Sequence, residues 1–234
     1  MKAVLFDMGG VLLNFLGDPG IPTGQRDFRG REVLLHFLND RGANLSEEDL
    51  ERELFGPWRR ESERRNELGR EADWAPHFRR LRKRAGGLRT PSLTLLKLWY
   101  RPLAEKVEPL PGAREVLEDL TRAGKRLALV SNTPLPGKFY VPILERHGLA
   151  GFLERMYFSY DQGHRKPSPA LIRRALADLG VAAGDAVMVG DRRSIDVVAG
   201  RSAGVATIWL RSHDGGGPAA DHVVDDLRSI LALV

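Results

Sequence analysis

Three short apolar runs in this chain end in groups that carry chemistry. Ala3-Val4-Leu5-Phe6 stops at Asp7, Arg126–Val130 at Ser131-Asn132-Thr133, and Ala186–Val189 at Gly190-Asp191. Lys166 stands in Gly163-His164-Arg165-Lys166-Pro167, at an expected strand-to-helix junction, and Asp196 follows Asp191 near the next helix start. In open parallel sheets, ligands bind beyond the carboxyl ends of the strands. If these three strands are neighbours, two carboxylates and a hydroxyl meet in one crevice, within reach of Lys166. Gly9-Gly10 and Gly190 let backbone come close to a ligand there. Such a set suits a phosphate ester and Mg²⁺, a cation that prefers oxygen ligands and keeps several waters. A carboxylate can also act as the nucleophile and form an aspartyl-phosphate. The ammonium and the metal then neutralise charge on the transferring phosphoryl group.

The elements that must position these groups follow from the pattern. After Pro109-Leu110-Pro111-Gly112 the chain alternates. Helices are expected over Ala113–Ala123, near Pro142–His147, over Pro169–Leu179, from Ile195 to Gly200, and over Leu227–Val234. Between them, strands are expected at Arg126–Val130, Arg155–Ser159, Ala186–Val189 and Val205–Leu210. Strands alternating with helices mean right-handed βαβ units and a parallel sheet with helices on both faces. The fold class is therefore α/β with a Rossmann-like core.

From Arg31 to Glu105 the spacing is helical instead. Val33, Leu34, Phe37 and Leu38 share one face, and Ser46-Glu47-Glu48-Asp49 reads as an N-cap with acids in the first turn. Phe78 with Leu81, and Leu95 with Leu96 and Trp99, predict two further helices, punctuated by Pro57, Gly69, Pro76, Gly86-Gly87 and Pro91. This predicts an inserted all-helical domain over residues 18–106, with a core made of residues 1–17 and 107–234. Asp18-Pro19-Gly20-Ile21-Pro22-Thr23-Gly24 reads as a hinge, and Gly215-Gly216-Gly217-Pro218 as a surface loop.

Composition excludes several classes. With 234 residues, 42% of them hydrophobic and 29% charged, the chain has the material for a core and is not a disordered one. No apolar run approaches the roughly 20 residues of a membrane helix, and Met1 leads straight into a strand pattern rather than a secretory signal. There is no cysteine, which removes disulfides, thiolate metal sites and cysteine nucleophiles. A cytoplasmic location is the expectation. The net charge of +5 comes from 29 Arg and 7 Lys against 31 acids. Most of the excess lies in the insert, where Arg59-Arg60, Arg64-Arg65, Arg79-Arg80 and Arg82-Lys83-Arg84 alternate with Glu61, Glu63, Glu67 and Glu71. That alternation reads as a solvated helix face with i,i+4 pairs rather than a nucleic-acid surface. Trp58, Trp74, Trp99 and Tyr100 read as packing residues rather than a stacking platform for bases.

Taken together, the motifs resemble the haloacid dehalogenase-like hydrolase superfamily, most of whose members are Mg²⁺-dependent phosphatases. Val4-Leu5-Phe6-Asp7-Met8-Gly9-Gly10-Val11-Leu12 resembles its first motif, with Asp7 in the nucleophile's place. Leu129-Val130-Ser131-Asn132-Thr133 resembles the second, which implies that Ser131 holds a phosphoryl oxygen. Lys166 matches the third-motif lysine that binds phosphate and nucleophile. Gly190-Asp191 through Asp196 resembles the fourth, followed by Gly200 and Gly204. The resemblance implies Asp7, Ser131 and Lys166 as catalytic residues and Gly10, Asn132 and Arg165 as substrate contacts. It implies Asp7, the Gly9 carbonyl, Asp191 and Asp196 as the Mg²⁺ site. The insert lies where the family's helical cap lies. The implied partner is a small phosphorylated metabolite, and the implied assembly a monomer or homodimer.

One position departs from the pattern. Phosphatases of this superfamily usually carry a second aspartate two residues after the nucleophile, as general acid and base. Here it is Gly9, which has no proton to give, and general acid–base help is typically worth about 10²–10⁴-fold in rate. Ser159 to Pro167 resembles the sugar-phosphate phosphatase branch, which also has Gly there. Two alternatives stay open: a 2-haloacid dehalogenase, which also lacks the second Asp, and a weakly active phospho-ligand-binding protein. His164 and Asp18 are weighed as replacement acids and read more simply as surface and hinge residues.

Overall fold

The computed structural model describes residues 1–15, 28–212 and 216–234. The hinge at 18–24, Asp18, the expected boundary between residues 17 and 18, and Gly215 of the glycine loop lie outside the described residues. The chain divides into two compact units. One is Met1–Asn14, Gly69–Glu71 and Glu108–Val234; the other is Phe15–Leu68 and Ala72–Val107.

In chain order the first unit begins with β1 (Ala3–Phe6) and the two-residue β2 (Leu13–Asn14). The second unit supplies α1 (Phe28–Asn39), α2 (Glu47–Leu50), α3 (Gly56–Glu67), α4 (Ala75–Arg84) and α5 (Ser92–Ala104). The first unit then resumes with β3 (Glu108–Pro109), α6 (Ala113–Arg122), β4 (Arg126–Ser131), α7 (Val141–Arg146) and β5 (Arg155–Phe158). It continues with α8 (Ser159–Gln162), α9 (Ala170–Leu179), β6 (Ala186–Gly190), α10 (Val198–Ala203), β7 (Ala206–Leu210) and β8 (His222–Val224).

In the first unit β5, β4, β1, β6, β7 and β8 form one sheet in that order, every pair parallel. Side chains alternate between faces along a strand. Ala3 and Leu5 pack with Ala128, Val130 and Met188 against Leu171, Ile172, Ala175 and Leu179 of α9. Val4 and Phe6, on the opposite face, are equally inaccessible. Both faces are thus covered, and such strands read as continuous apolar runs. β1 lies at the middle, its register fixed by Ala3 opposite Arg126 on one side and Ala186 on the other. In that register β4 runs two residues and β6 one residue past the end of β1, so the residues after all three emerge at the same end of the sheet.

Two expected elements differ. The final segment, Leu227–Ala232, is a 3₁₀ helix capped by the Asp226 side chain, which accepts from Ser229 N. The helix expected from Ile195 begins instead as a π turn, Arg193–Val197, before α10. No described helix is long and apolar enough to cross a membrane.

The second unit is helical among its described residues. Ser46 caps α2 as expected, with a reciprocal capping box to Asp49. Pro57 does not break the chain there. It lies in the first turn of α3, directly after a π turn at Glu51–Phe55. A proline has no N–H to satisfy and is tolerated in a first helical turn. Trp58 stacks on Trp74 with ring centroids 4.2 Å apart, and Phe55, Phe78 and Trp99 close around Trp74. These tryptophans are packing residues. The basic face is paired in part as expected, with Arg65 donating to Glu61 at 2.8 Å one helical turn away. Arg84 also holds Asp49 at 3.1 Å from α4.

At the sheet edge, the Tyr157 hydroxyl donates to Asp178 Oδ2 at 2.8 Å. Burial and then this carboxylate push the phenol up to about 12. A phenol raised in the folded state contributes stability that is complete below its unfolded value of about 10 and lost as pH rises toward 12. Melting temperatures at pH 9 and pH 11 should therefore fall further for the native chain than for Tyr157→Phe.

Candidate active site

Asp7 follows β1 directly, and its N–H donates to Val189 O at 2.9 Å, which ties the turn to β6. Asp191 follows β6, and its carbonyl accepts from Trp209 Nε1 at 2.9 Å and Ser212 Oγ at 2.6 Å. Asp196 lies in the π turn after β6, its Oδ2 accepting from Arg192 N at 3.0 Å. One carboxylate oxygen from each of Asp7, Asp191 and Asp196 lies within 4.8 Å of the others. Lys166 Nζ enters this cluster, 2.9 Å from Asp7 Oδ1 and 2.6 Å from Asp196 Oδ1. Lys166 is 1% exposed and Asp196 1% exposed, whereas the Asp7 side chain is 14% exposed and so faces the crevice.

Three acids gathered around Lys166 explain the electrostatics. Burial, then Asp7 and Asp196, push the Asp191 carboxyl up to about 7. Burial also raises Asp196, against the pull of Lys166. Burial alone would lower Lys166, but the charges of Asp196 and Asp7 outweigh it and hold the ammonium protonated. With all three acids ionised the cluster carries an excess of negative charge that a divalent cation would balance. Asp191 Oδ1 is buried and makes no hydrogen bond, as expected of an oxygen reserved for a metal. The residues therefore fit Mg²⁺, a hard cation taking oxygen ligands.

Two glycines make the cluster sterically possible. Gly10 adopts φ +75°, and a Cβ there would lie 2.3 Å from Asp191 Oδ2. At Gly190 a Cβ would lie 2.2 Å from Asp196 Cβ. Gly190→Ala should consequently displace the Asp196 side chain and lower the melting temperature. The expected loss is about 1–3 kcal/mol, the scale of overpacking, readable by urea denaturation.

The remaining predicted residues are brought to the same end of the sheet. Ser131 is the last residue of β4 and is buried. Asn132, expected as a substrate contact, gives its side-chain amide to the backbone of Lys166. Its Nδ2 donates to Lys166 O at 2.7 Å, and its Oδ1 accepts from Lys166 N at 2.8 Å. Arg165, also expected as a substrate contact, directs Nη1 to Glu71 Oε2 at 3.3 Å. His164 is exposed. Gly9 lies in the turn after Asp7 and bridges to Leu13.

Glu71 is a correction. The charge pattern grouped it with a solvated helix face, yet it is 9% exposed and its segment, Gly69–Glu71, belongs to the first unit. Ser159 Oγ donates to Glu71 Oε1 at 2.5 Å. Burial raises the Glu71 carboxyl, opposed by the Ser159 hydrogen bond and the Arg165 charge.

A model of the haloacid dehalogenase-like hydrolases matches residues 1–204, and the chain belongs to that family. It is 29% identical to the ribulose-1,5-bisphosphate 5-phosphatase of Halopiger xanaduensis, over 99% of this chain and 98% of that protein. It is 35% identical to a phosphoglycolate phosphatase of Pseudomonas savastanoi pv. phaseolicola, over 58% of this chain and 52% of that one. The match thus spans about half the length of the phosphoglycolate phosphatases. Among solved structures, a HAD phosphatase from Thermococcus onnurineus superposes with a TM-score of 0.68 at 25% identity, over 100% of this chain and 97% of that one.

Proposed function

We propose that this chain is a Mg²⁺-dependent phosphatase of a small phosphorylated metabolite, working through an aspartyl-phosphate on Asp7. The observation that carries the reading is the cluster of Asp7, Asp191 and Asp196, with Lys166 Nζ between Asp7 and Asp196. Lys166 engages Asp7 Oδ1, so attack on phosphorus is assigned to Oδ2. The new bond forms from that oxygen as the P–O bond to the leaving group breaks. Lys166 and Ser131 stabilise the phosphoryl oxygens while charge moves between them. Mg²⁺, when bound by Asp7, Asp191, Asp196 and the Gly9 carbonyl, supplies further neutralisation of the phosphoryl group. Gly9 offers no proton to the leaving oxygen, so solvent or the substrate's own acidity must serve. Good leaving groups are then the fastest substrates. Water finally hydrolyses the aspartyl-phosphate and restores Asp7. The helical unit, in this reading, is the cap that selects the substrate.

Phosphate release from a panel of phosphometabolites and p-nitrophenyl phosphate, with Mg²⁺ and with EDTA, tests the proposal. Release that requires the metal is the expected result. A folded protein releasing none from any ester in the panel would favour the phospho-ligand-binding reading. A 2-haloacid needs no metal at its reacting carbon. Chloride release from 2-chloropropionate in EDTA would replace the phosphatase reading with the dehalogenase one.

A further inference from the structure

Glu71 has no part in the chemistry just described, yet it is a buried acid bonded to the first residue of α8 and to the loop that carries Lys166. Its Oε1 accepts from Ser159 Oγ at 2.5 Å and its Oε2 from Arg165 Nη1 at 3.3 Å. Two residues earlier, Gly69 O accepts from Arg165 N at 2.8 Å. Ser159 Oγ in turn accepts from Thr133 N at 2.7 Å.

The Ser159 hydroxyl has one proton and two candidate acceptors, Glu71 Oε1 at 2.5 Å and Thr133 O at 3.4 Å. The carboxylate is the shorter and stronger partner. With the proton committed there, a lone pair of the same oxygen is turned to the Thr133 N–H. Thr133 follows Ser131-Asn132, and Asn132 grips both backbone groups of Lys166. A closed circuit results: Glu71, Ser159, Thr133, Asn132, Lys166, Arg165, and back to Glu71. It joins the loop after β4 to the loop that carries Lys166, the two backbones that present Ser131 and the lysine. Buried charged clusters are weak support for stability, and fixing a single register is their best-attested use.

We infer that Glu71 is a positioning residue, holding Ser131 and Lys166 in register for phosphate through Ser159 and Arg165. The inference rests on the phosphatase reading for its kinetic consequence, and on the hydrogen-bond circuit for its structural one.

The experiment compares full-length Glu71→Ala, Glu71→Gln and Ser159→Ala with the native chain. Turnover of p-nitrophenyl phosphate with Mg²⁺ is read beside amide hydrogen exchange at Thr133 and Lys166. Misplacement of reacting groups by about 1 Å can cost about a hundredfold. Glu71→Ala is therefore expected to lower kcat by about tenfold to a hundredfold, with KM changed by less than about threefold. Exchange at Thr133 should quicken in Glu71→Ala and in Ser159→Ala, while the sheet amides keep their protection. Gln retains a carbonyl acceptor for Ser159, so Glu71→Gln should recover most of the loss. Three outcomes overturn the inference: native kcat in folded Glu71→Ala, unchanged exchange at Thr133, or exchange quickened evenly over the whole chain. If Glu71→Ala does not fold, Ser159→Ala and Glu71→Gln decide by the same readings. If the native chain releases no phosphate, the phosphatase reading fails by itself, and the exchange comparison still judges the circuit.

Discussion

Asp7→Asn should abolish metal-dependent phosphate release, by more than about 10³-fold in kcat, and leave the protein folded. The amide matches the carboxylate in shape but is no nucleophile at neutral pH. The amide would turn its oxygen to Lys166 Nζ, which lies 2.9 Å from Asp7 Oδ1, and so place a donor nitrogen where the attacking oxygen stood. Native Asp7 and Asp196 share that ammonium, so the substitution leaves Asp196 as its charged partner. It also removes one negative charge beside Asp191, whose carboxyl Asp7 helps to push up. Melting temperature should consequently change little while turnover disappears, and single-turnover phosphate release reads the difference. Turnover near the native rate in this variant would sink the covalent mechanism.

The second large effect belongs to Lys166. Lys166→Met keeps the volume and the apolar arm but removes the positive charge set against Asp7 and Asp196. Breaking a buried ion pair on one side commonly costs about 3–5 kcal/mol, because the other side stays buried and uncompensated. Here two acids lose their base, so a destabilisation of that size and loss of activity should occur together. Mg²⁺ should then raise the melting temperature of the variant more than that of the native chain, because a cation bound only by the folded form stabilises it by mass action. Thermal melts with and without the metal, beside phosphate release, measure both. An unchanged denaturation midpoint would mean that the ammonium is dispensable to the fold.

The sheet was legible because its strands are buried on both faces. Such strands are unbroken apolar runs, and β1, β4, β6 and β7 stop at polar or charged residues with sharp boundaries. Asp7 and Asp191 of the cluster were legible for the same reason, since each directly follows such a strand, whereas Lys166 and Asp196 stand further along, beyond α8 and in the π turn after β6, and were read from the motifs they belong to. β8 was missed. His222-Val223-Val224 is only three residues beside Asp221 and Asp225, and an edge strand needs little apolar signal. Glu71 was misread because Glu61, Glu63 and Glu67 precede it among arginines. Local charge pattern cannot distinguish an acid facing water from one facing Ser159, 88 positions along the chain. Asn132 was found as a site residue, and its amide also holds both backbone groups of Lys166. These misreadings are all matters of tertiary contact, which spacing does not record.

The central place of β1 bears on how the chain is made. Its partners are β4 and β6, with Ala3 opposite Arg126 and Ala186. During synthesis, this fully apolar strand emerges long before either neighbour exists. Pairings so distant in sequence form slowly, whereas helices built on near neighbours form quickly. The helical segment that follows β1 can thus gain structure while the strand still waits, exposed and prone to association. Asp7 is carried on the part of the sheet translated first, and it finds its fellow acids only when β6 has left the ribosome.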